Sequence, residues 1–258
     1  MFTVIITTHD RPLLLGRALR SLIDQTFQDF FVIIIADESL YLPPYEELKR
    51  LDGRYVYVLR SGVAGPAESR NMGLDLVRTD YVLFLDDDDA FEPDHLAALA
   101  REIKRCRPKI AYCDFKVVDE DRNTFPPKRL RVAPAAIGSV KTSNILVKNI
   151  IPNSCLVFLR KVIGSIRFDP SYIIYEDWDF LLNVAKNVDL VYLKMDSVLI
   201  HKSWAEGAAN QRRGAKNNDK VIDQTLVIYK RHPAAQDVRL ARQKFFADAG
   251  LNLPLTSF

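Results

Sequence analysis

The chain has 258 residues, 48% hydrophobic and 27% charged, with a formal net charge of +3. That is enough for one large domain or two small ones of ordinary globular composition, and the basic excess is too weak to indicate nucleic acid. No apolar stretch nears the roughly 18 residues that span a bilayer, no basic and apolar leader opens the chain, and Cys106, Cys113 and Cys155 lack metal-ligand spacing, so a cytoplasmic protein with three buried thiols is expected.

The first half alternates strand and helix. Residues 2–7 form a β-branched run and predict a strand; Leu15, Ala18, Leu19, Leu22 and Ile23 then recur at helical spacing. Pro12 suits the first turn of that helix. Residues 30–36 predict a second strand, 45–51 a short helix after Pro43 and Pro44, and 55–59 a third strand. The loop 60–65 leads into a helix ending near Val77. Residues 81–85 predict strand four, a helix follows Pro93 with Leu96, Leu99, Ala100 and Ile103 on one face, and 110–118 predict strand five. Such alternation implies a mainly parallel sheet covered by helices on both faces.

The second half is less regular. Residues 122–134, rich in proline and basic residues, predict a loop or hairpin. Residues 155–159 predict a strand, 176–186 a helix, 190–193 and 197–200 two short strands, and 204–218 a polar, mobile stretch. The last forty or so residues predict helices broken at Pro233. They are basic, with Val221, Leu226, Ile228 and Tyr229 for an apolar face. That face suits docking on the main domain, a homodimer contact, or peripheral contact with an anionic membrane.

Asp86-Asp87-Asp88-Asp89 follows the apolar run 81–85. Four carboxylates at the end of a buried strand repel one another, and a divalent cation with oxygen ligands relieves that repulsion. In open α/β sheets this edge is also where ligands bind. Asp37 ends strand two; it is equally a ligand for a base or ribose and a cap for a turn. Gly62 and Gly65 precede a helix carrying Arg70 one turn in, an arrangement that admits an anion. The acids Glu176, Asp177 and Asp179 open another helix, where its dipole favours them whatever the function; one of them suits a general base. Tyr175 and Trp178 beside them fit either a sugar face or the core. His9 ends strand one. His201 follows a strand and is a candidate metal or phosphate contact, with a structural role equally open. His95 and His232 read as surface residues. A strand-one Gly-x-Gly-x-x-Gly is missing: the chain has Thr7-Thr8-His9-Asp10-Arg11-Pro12 there.

Five segments in order resemble the inverting family 2 glycosyltransferases of the GT-A fold, over residues 2–205. They are Val4-Ile5-Ile6-Thr7-Thr8-His9-Asp10-Arg11-Pro12; Gln25-Thr26-Phe27 ahead of Ile33-Ile34-Ile35-Ala36-Asp37-Glu38-Ser39; Ser69-Arg70-Asn71-Met72-Gly73; Phe84-Leu85-Asp86-Asp87-Asp88-Asp89; and Glu176-Asp177-Trp178-Asp179. The resemblance implies an α/β, Rossmann-like central sheet, a smaller mixed acceptor-side region and a C-terminal helical segment. The division expected is 1–118 for the nucleotide-sugar, 119–215 for the acceptor and 216–258 for a helical extension. It implies Asp37 on the nucleotide base, Thr7, His9 and Arg70 in the base and ribose pocket, and Asp86 and Asp87 near the ribose. Asp88 would hold Mg²⁺ or Mn²⁺, Asp177 would be the catalytic base, and Glu176, Trp178 and His201 would contact acceptor or phosphate. The donor implied is a nucleotide diphosphate-sugar, a UDP-sugar first, and the acceptor a glycan or lipid-linked hydroxyl in surface polysaccharide or glycoconjugate assembly. The enzyme would sit in the cytoplasm or at the inner face of the membrane. The chain departs from the pattern at Ala36, where a second acid is common, at Glu38, and at His9-Asp10. The Gln-x-x-Arg-Trp motif of processive synthases is missing at Gln211-Arg212-Arg213-Gly214, which implies one sugar added at a time. Two other classes use such residues: a haloacid-dehalogenase-type phosphatase with Asp86 as nucleophile and Asp88 as acid, and a non-catalytic sugar-nucleotide-binding module.

Overall fold

The computed structural model describes residues 1–37, 42–62, 65–124, 126–203 and 218–258. Their elements in chain order are β1 (Phe2–Thr8), α1 (Pro12–Ile23), β2 (Phe30–Asp37), α2 (Tyr45–Arg50), β3 (Tyr55–Arg60), α3 (Pro66–Leu76), β4 (Tyr81–Asp86), β5 (Ala90–Phe91) and α4 (His95–Cys106). There follow β6 (Ile110–Asp121), β7 (Lys128–Ala135), α5 (Thr142–Ile145), β8 (Leu156–Leu159), α6 (Arg160–Ile163), α7 (Glu176–Val184), β9 (Leu190–Ser203), α8 (Asn218–Arg231) and α9 (Gln236–Asp248). The strands make one sheet in the order β3-β2-β1-β4-β8-β6-β9-β5, with β7 paired to β6.

The four strands β3, β2, β1 and β4 are parallel. β1, β2 and β4 are apolar without alternation because both faces are covered. The chain winds outward from β1 to β3, then returns to the other side of β1 for β4. That reversal is the switch point where open α/β sheets leave a crevice at the carboxyl ends of their strands. Register brings Thr7 beside Asp86 and Thr8 beside Ala36, so the ends of three strands reach one edge together. α3 lies on β1 with Gly73 at the contact, where a Cβ would sit 2.6 Å from Ile5 Cγ2.

Beyond β4 the sheet is mixed. β8 is antiparallel to β4 and β6, β6 runs parallel to β9, and β5 and β7 add antiparallel edges. Residues 190–203 form one strand, where two were expected. Its polar middle falls where the β6–β9 register shifts between Cys113 and Phe115, so the ladder resumes after the irregularity. The basic segment after residue 122 turns back as β7, a hairpin with β6. The polar stretch 204–217, with the Gln211-Arg212-Arg213-Gly214 segment, lies outside the described residues, as do Glu38 and Ser39.

One hydrophobic cluster runs from Phe2 through Ile145, Trp178 and Phe180 to Ile228, Tyr229 and Phe246. The C-terminal helices α8 and α9 thus pack into this cluster through Ile228, Tyr229 and Phe246. Arg242 is fully buried in α9. Its guanidinium donates to the carbonyls of Leu146 at 2.9 Å, Tyr229 at 3.3 Å and His232 at 2.9 Å, and stacks 4.1 Å from the Tyr229 ring.

Three sequence expectations are corrected. His95 is buried, not a surface residue: its ring stacks on Phe91 at 4.1 Å and its Nδ1 meets Ser197 Oγ at 2.9 Å. His232 is buried too, with Nε2 2.7 Å from Asp179 Oδ1. Cys106 is exposed at the end of α4, while Cys113 and Cys155 are buried. Among the described residues, no helix is long and apolar enough to cross a membrane.

Candidate active site

A cleft of about 530 Å³ opens at the carboxyl ends of β1, β2 and β4 and is closed on its far side by the start of α7. Thr7, Thr8, His9, Asp37, Arg70, Asp86, Asp87, Asp88, Glu176 and Asp177 all line it. These are most of the residues singled out from sequence. Two of the three described non-glycine residues with positive φ sit at its rim, Asp10 at 51° and Tyr175 at 70°. Such backbone is held only where surrounding structure over-determines it, commonly at functional sites.

Asp37 lines the cleft and also caps a helix start. One oxygen accepts from Arg60 and the other from the Gly65 N–H at 2.6 Å, so its carboxylate caps α3 from a neighbouring strand. Its carbonyl meets His9 Nδ1 at 2.6 Å, fixing that ring at the rim.

Arg70 is a clasp. Nη2 donates to Asp86 Oδ1 at 2.9 Å and Nη1 to Glu176 Oε1 at 2.7 Å, joining β4 to α7 across the cleft. Burial pulls its pKa down, but the charges of Asp86 and Glu176 outweigh that and raise it above the usual guanidinium range. Beside it Asn71 pairs twice with the Phe168 main chain, at 2.8 Å each way.

The acid run divides four ways. Asp86 faces Arg70. Asp87 accepts from Thr8 Oγ1 at 2.7 Å and Arg11 Nη1 at 3.4 Å; burial and then the Asp88 charge push it up to about 6. Asp88 Oδ2 accepts from Arg122 Nη1 at 3.1 Å and lies 3.8 Å from Arg11 Nη1. Asp89 is buried, bonded to Ser154 Oγ at 2.8 Å and the His201 N–H at 3.1 Å, so it anchors the run instead of facing the cleft.

Opposite them, Asp177 Oδ1 accepts the Trp178 N–H at 2.7 Å at the start of α7. Burial, then Glu176, raise its pKa to about 6 against the pull of Arg70. That is a carboxylate poised to take a proton near neutrality. Trp178, expected as a possible sugar contact, is instead core. It is buried and its Nε1 donates to the Ile145 carbonyl at 2.7 Å, because the helical turn that aims Asp177 outward aims its neighbour inward.

His201 is buried beneath the cleft rather than lining it. Its Nδ1 lacks a hydrogen-bond partner, burial and then Arg17 lower its pKa to about 4, and the Asp88 charge reaches it. Among the described residues, no preformed group of three or more His, Cys, Asp or Glu gathers for a metal. Mg²⁺ and Mn²⁺ sites that share the ion with substrate phosphates need only one or two protein carboxylates, so Asp88, which lines the cleft, fits that kind of site.

Arg11, Arg17, Glu120 and Arg122 escaped the sequence reading. Glu120 is buried, taking Arg17 Nη1 at 2.6 Å and Arg122 Nε at 2.7 Å, while Arg17 Nη2 reaches the Asp88 carbonyl at 2.5 Å. Only the unexplained density of arginines near 122 hinted at it.

The model of the family described as "Glycosyl transferase family 2" matches residues 3–164. The succinoglycan biosynthesis protein ExoW of Rhizobium meliloti (strain 1021) is 33% identical over 185 residues, covering 65% of this chain and 57% of its own. This chain therefore spans less than two thirds of that relative. Among solved structures, Staphylococcus aureus TarS residues 1–349 in complex with UDP-GlcNAc superposes with TM-score 0.70 at 18% identity, over 95% of this chain and 71% of that one. The mannosyltransferase PcManGT from Pyrobaculum calidifontis, in complex with GDP-Man and Mn²⁺, gives 0.62 at 14%, over 99% and 77%.

Proposed function

The chain belongs to glycosyl transferase family 2, and on that premise we propose that it transfers one sugar from a nucleotide diphosphate-sugar to an acceptor hydroxyl with inversion of configuration. The observation that carries this is the Arg70 clasp, which brings the strand-end acids and the α7 acid to opposite walls of one cleft. Asp37, Thr7 and His9 border the nucleoside end; Asp86 and Asp87 lie toward the ribose. Asp88 would hold a Mg²⁺ or Mn²⁺ ion, which would supply Lewis-acid stabilisation of the leaving diphosphate when bound. Asp177 Oδ1 is held by the Trp178 N–H, which leaves Oδ2 to take the acceptor's proton. The hydroxyl oxygen then attacks the anomeric carbon opposite the leaving group, and no residue of this chain becomes covalently attached to sugar.

UDP-sugars are the first donors to test, since TarS was crystallised with UDP-GlcNAc, while the GDP-Man complex of PcManGT makes GDP-sugars the second class. The name of ExoW supports a place in polysaccharide biosynthesis; on this reading the acceptor is a glycan or lipid-linked hydroxyl and the enzyme works on the cytoplasmic side. The phosphatase reading is not favoured: Asp86 is committed to Arg70 rather than free for attack. The test is a panel of UDP- and GDP-sugars with Mn²⁺ or EDTA, read by thermal shift and by release of free nucleotide. A true donor raises Tm by mass action and is turned over only with metal. No stabilising nucleotide and no release, with hydrolysis of p-nitrophenyl phosphate instead, would overturn the reading.

A further inference from the structure

Two guanidinium groups converge on the one carboxylate assigned to metal. Asp88 Oδ2 lies 3.1 Å from Arg122 Nη1 and 3.8 Å from Arg11 Nη1, and all three residues line the cleft. A dication bound to that carboxylate sits about 2.1 Å from an oxygen. It would face two cations already packed there, so metal and arginines compete for the same atom.

We propose that Arg122 and Arg11 are exchangeable counter-ions, which neutralise Asp88 in the nucleotide-free protein and move onto the donor's diphosphate when a divalent cation takes Asp88. This rests on the donor reading above. The surroundings limit where the arginines go. Buried Glu120 holds Arg122 by Nε at 2.7 Å, and the His201 carbonyl takes Nη2 at 3.3 Å, so only Nη1 is released and it stays at the cleft wall. Arg11 is freer, its side chain 40% exposed at the mouth just before α1, and its Nη1 also lies 3.4 Å from Asp87 Oδ1. The diphosphate is the anion that arrives with the metal, and guanidinium binds phosphate oxygens through charge-assisted, often bidentate hydrogen bonds. Without these residues the donor would meet two carboxylates, Asp87 and Asp88, with no guanidinium beside them. With them the wall stays near neutral in both states, and part of the leaving-group charge is met by the protein itself.

The exchange predicts effects of opposite sign on two ligands. Mn²⁺ binding to nucleotide-free protein is followed by the free-ion electron paramagnetic resonance signal, and UDP binding in EDTA by calorimetry. R122Q should bind Mn²⁺ several-fold more tightly, because Asp88 loses its resident partner. The same variant should bind UDP in EDTA about tenfold more weakly, because a charge-assisted contact is lost. R11Q should move both in the same directions by less, and R122K should hold Mn²⁺ affinity near wild type. R11Q alters a partly exposed side chain, so it decides by the same two signs if R122Q does not fold. Unchanged or weaker Mn²⁺ binding, or unchanged UDP binding, in variants of a wild type that itself binds UDP would overturn this proposal alone. A wild type that binds neither UDP nor GDP with Mn²⁺ would overturn the donor reading and this inference with it.

Discussion

The acids that end β4 and those that begin α7 face each other across one cleft but are treated differently by their surroundings. Asp86, Asp87 and Asp88 are each matched by a guanidinium, from Arg70, Arg11 and Arg122. Asp177 accepts a main-chain N–H and joins no ion pair among the described residues. The difference separates two tasks. On the proposed mechanism, a carboxylate that holds charge beside a phosphate benefits from guanidinium counter-ions. The other must gain a proton, and a direct guanidinium contact would pull its pKa down, a pull that burial and the Asp88 charge outweigh at Asp87.

The sharpest way to break this comparison is Asp177→Asn. It should reduce kcat/KM for transfer about 10³-fold, the scale of a lost general base, with UDP affinity within about twofold of wild type. Measured side by side, unchanged turnover would move the base elsewhere in the cleft. Next in size is the support beneath α7. Asp179 is fully buried and meets His232 Nε2 at 2.7 Å, Asn183 Nδ2 at 2.9 Å and Arg231 Nε at 3.3 Å. Asp179→Ala strands those partners and should cost about 3 kcal/mol, seen as a fall of several degrees in Tm. Asp169→Ala removes the more exposed partner of the same Arg231 and should cost about 1 kcal/mol or less. Equal losses in the two variants would refute the view that the C-terminal helices hold α7 through Asp179.

How far the sequence could be read follows the same division. β1, β2 and β4 are unbroken apolar runs whose ends fall at one edge by parallel register. Their end residues Thr7, Asp37 and Asp86 therefore reach the cleft as a matter of topology. The acids that start α7 were legible as a set, and the resemblance alone singled out Asp177 among them. Arg122 and Glu120 were not, because they reach Asp88 only through the β6–β9 pairing and a hairpin turn, and no local spacing encodes either. β9 was split because its polar middle lies where the ladder with β6 is irregular. The Ser69-Arg70-Asn71-Met72-Gly73 segment reads as a ligand motif, yet its contacts are internal: Arg70 clasps two acids and Asn71 holds the Phe168 main chain.

Gly73 in that segment has a steric reason, and it gives the next test in size. A Cβ there would lie 2.6 Å from Ile5 Cγ2, inside the close packing of α3 on β1. Gly73→Ala should destabilise by about 2 kcal/mol through overpacking, despite alanine's better helix propensity. Pairing it with Ile5→Ala, which removes the Cγ2 methyl that the new Cβ would meet, should cost less than the sum of the two single losses in a double-mutant cycle. No loss in Gly73→Ala would mean that α3 can lift from the sheet, and the Arg70 clasp would then lose its fixed base.

The smallest effect is on stability, and it runs against activity. Burial and Glu176 raise Asp177 to about 6, above its ordinary value of 3.8. A carboxyl bound more tightly to its proton in the folded state contributes stability that is full below the ordinary value and is lost as pH rises through about 6. Catalysis needs the opposite form, so kcat/KM should climb with pH through about 6 as the base ionises. The half-buried Asp177 makes the stability change small, on the order of 1 kcal/mol. Asp177→Asn cannot ionise but can still accept the Trp178 N–H, so it should melt slightly above wild type at pH 7 and match it near pH 4. A variant that is inactive yet more stable at pH 7 alone would identify the carboxylate left without a salt bridge as a cost borne by the fold for catalysis. Equal melting of the two proteins at both pH values would show that the surroundings of α7 compensate the Asp177 charge in the folded state.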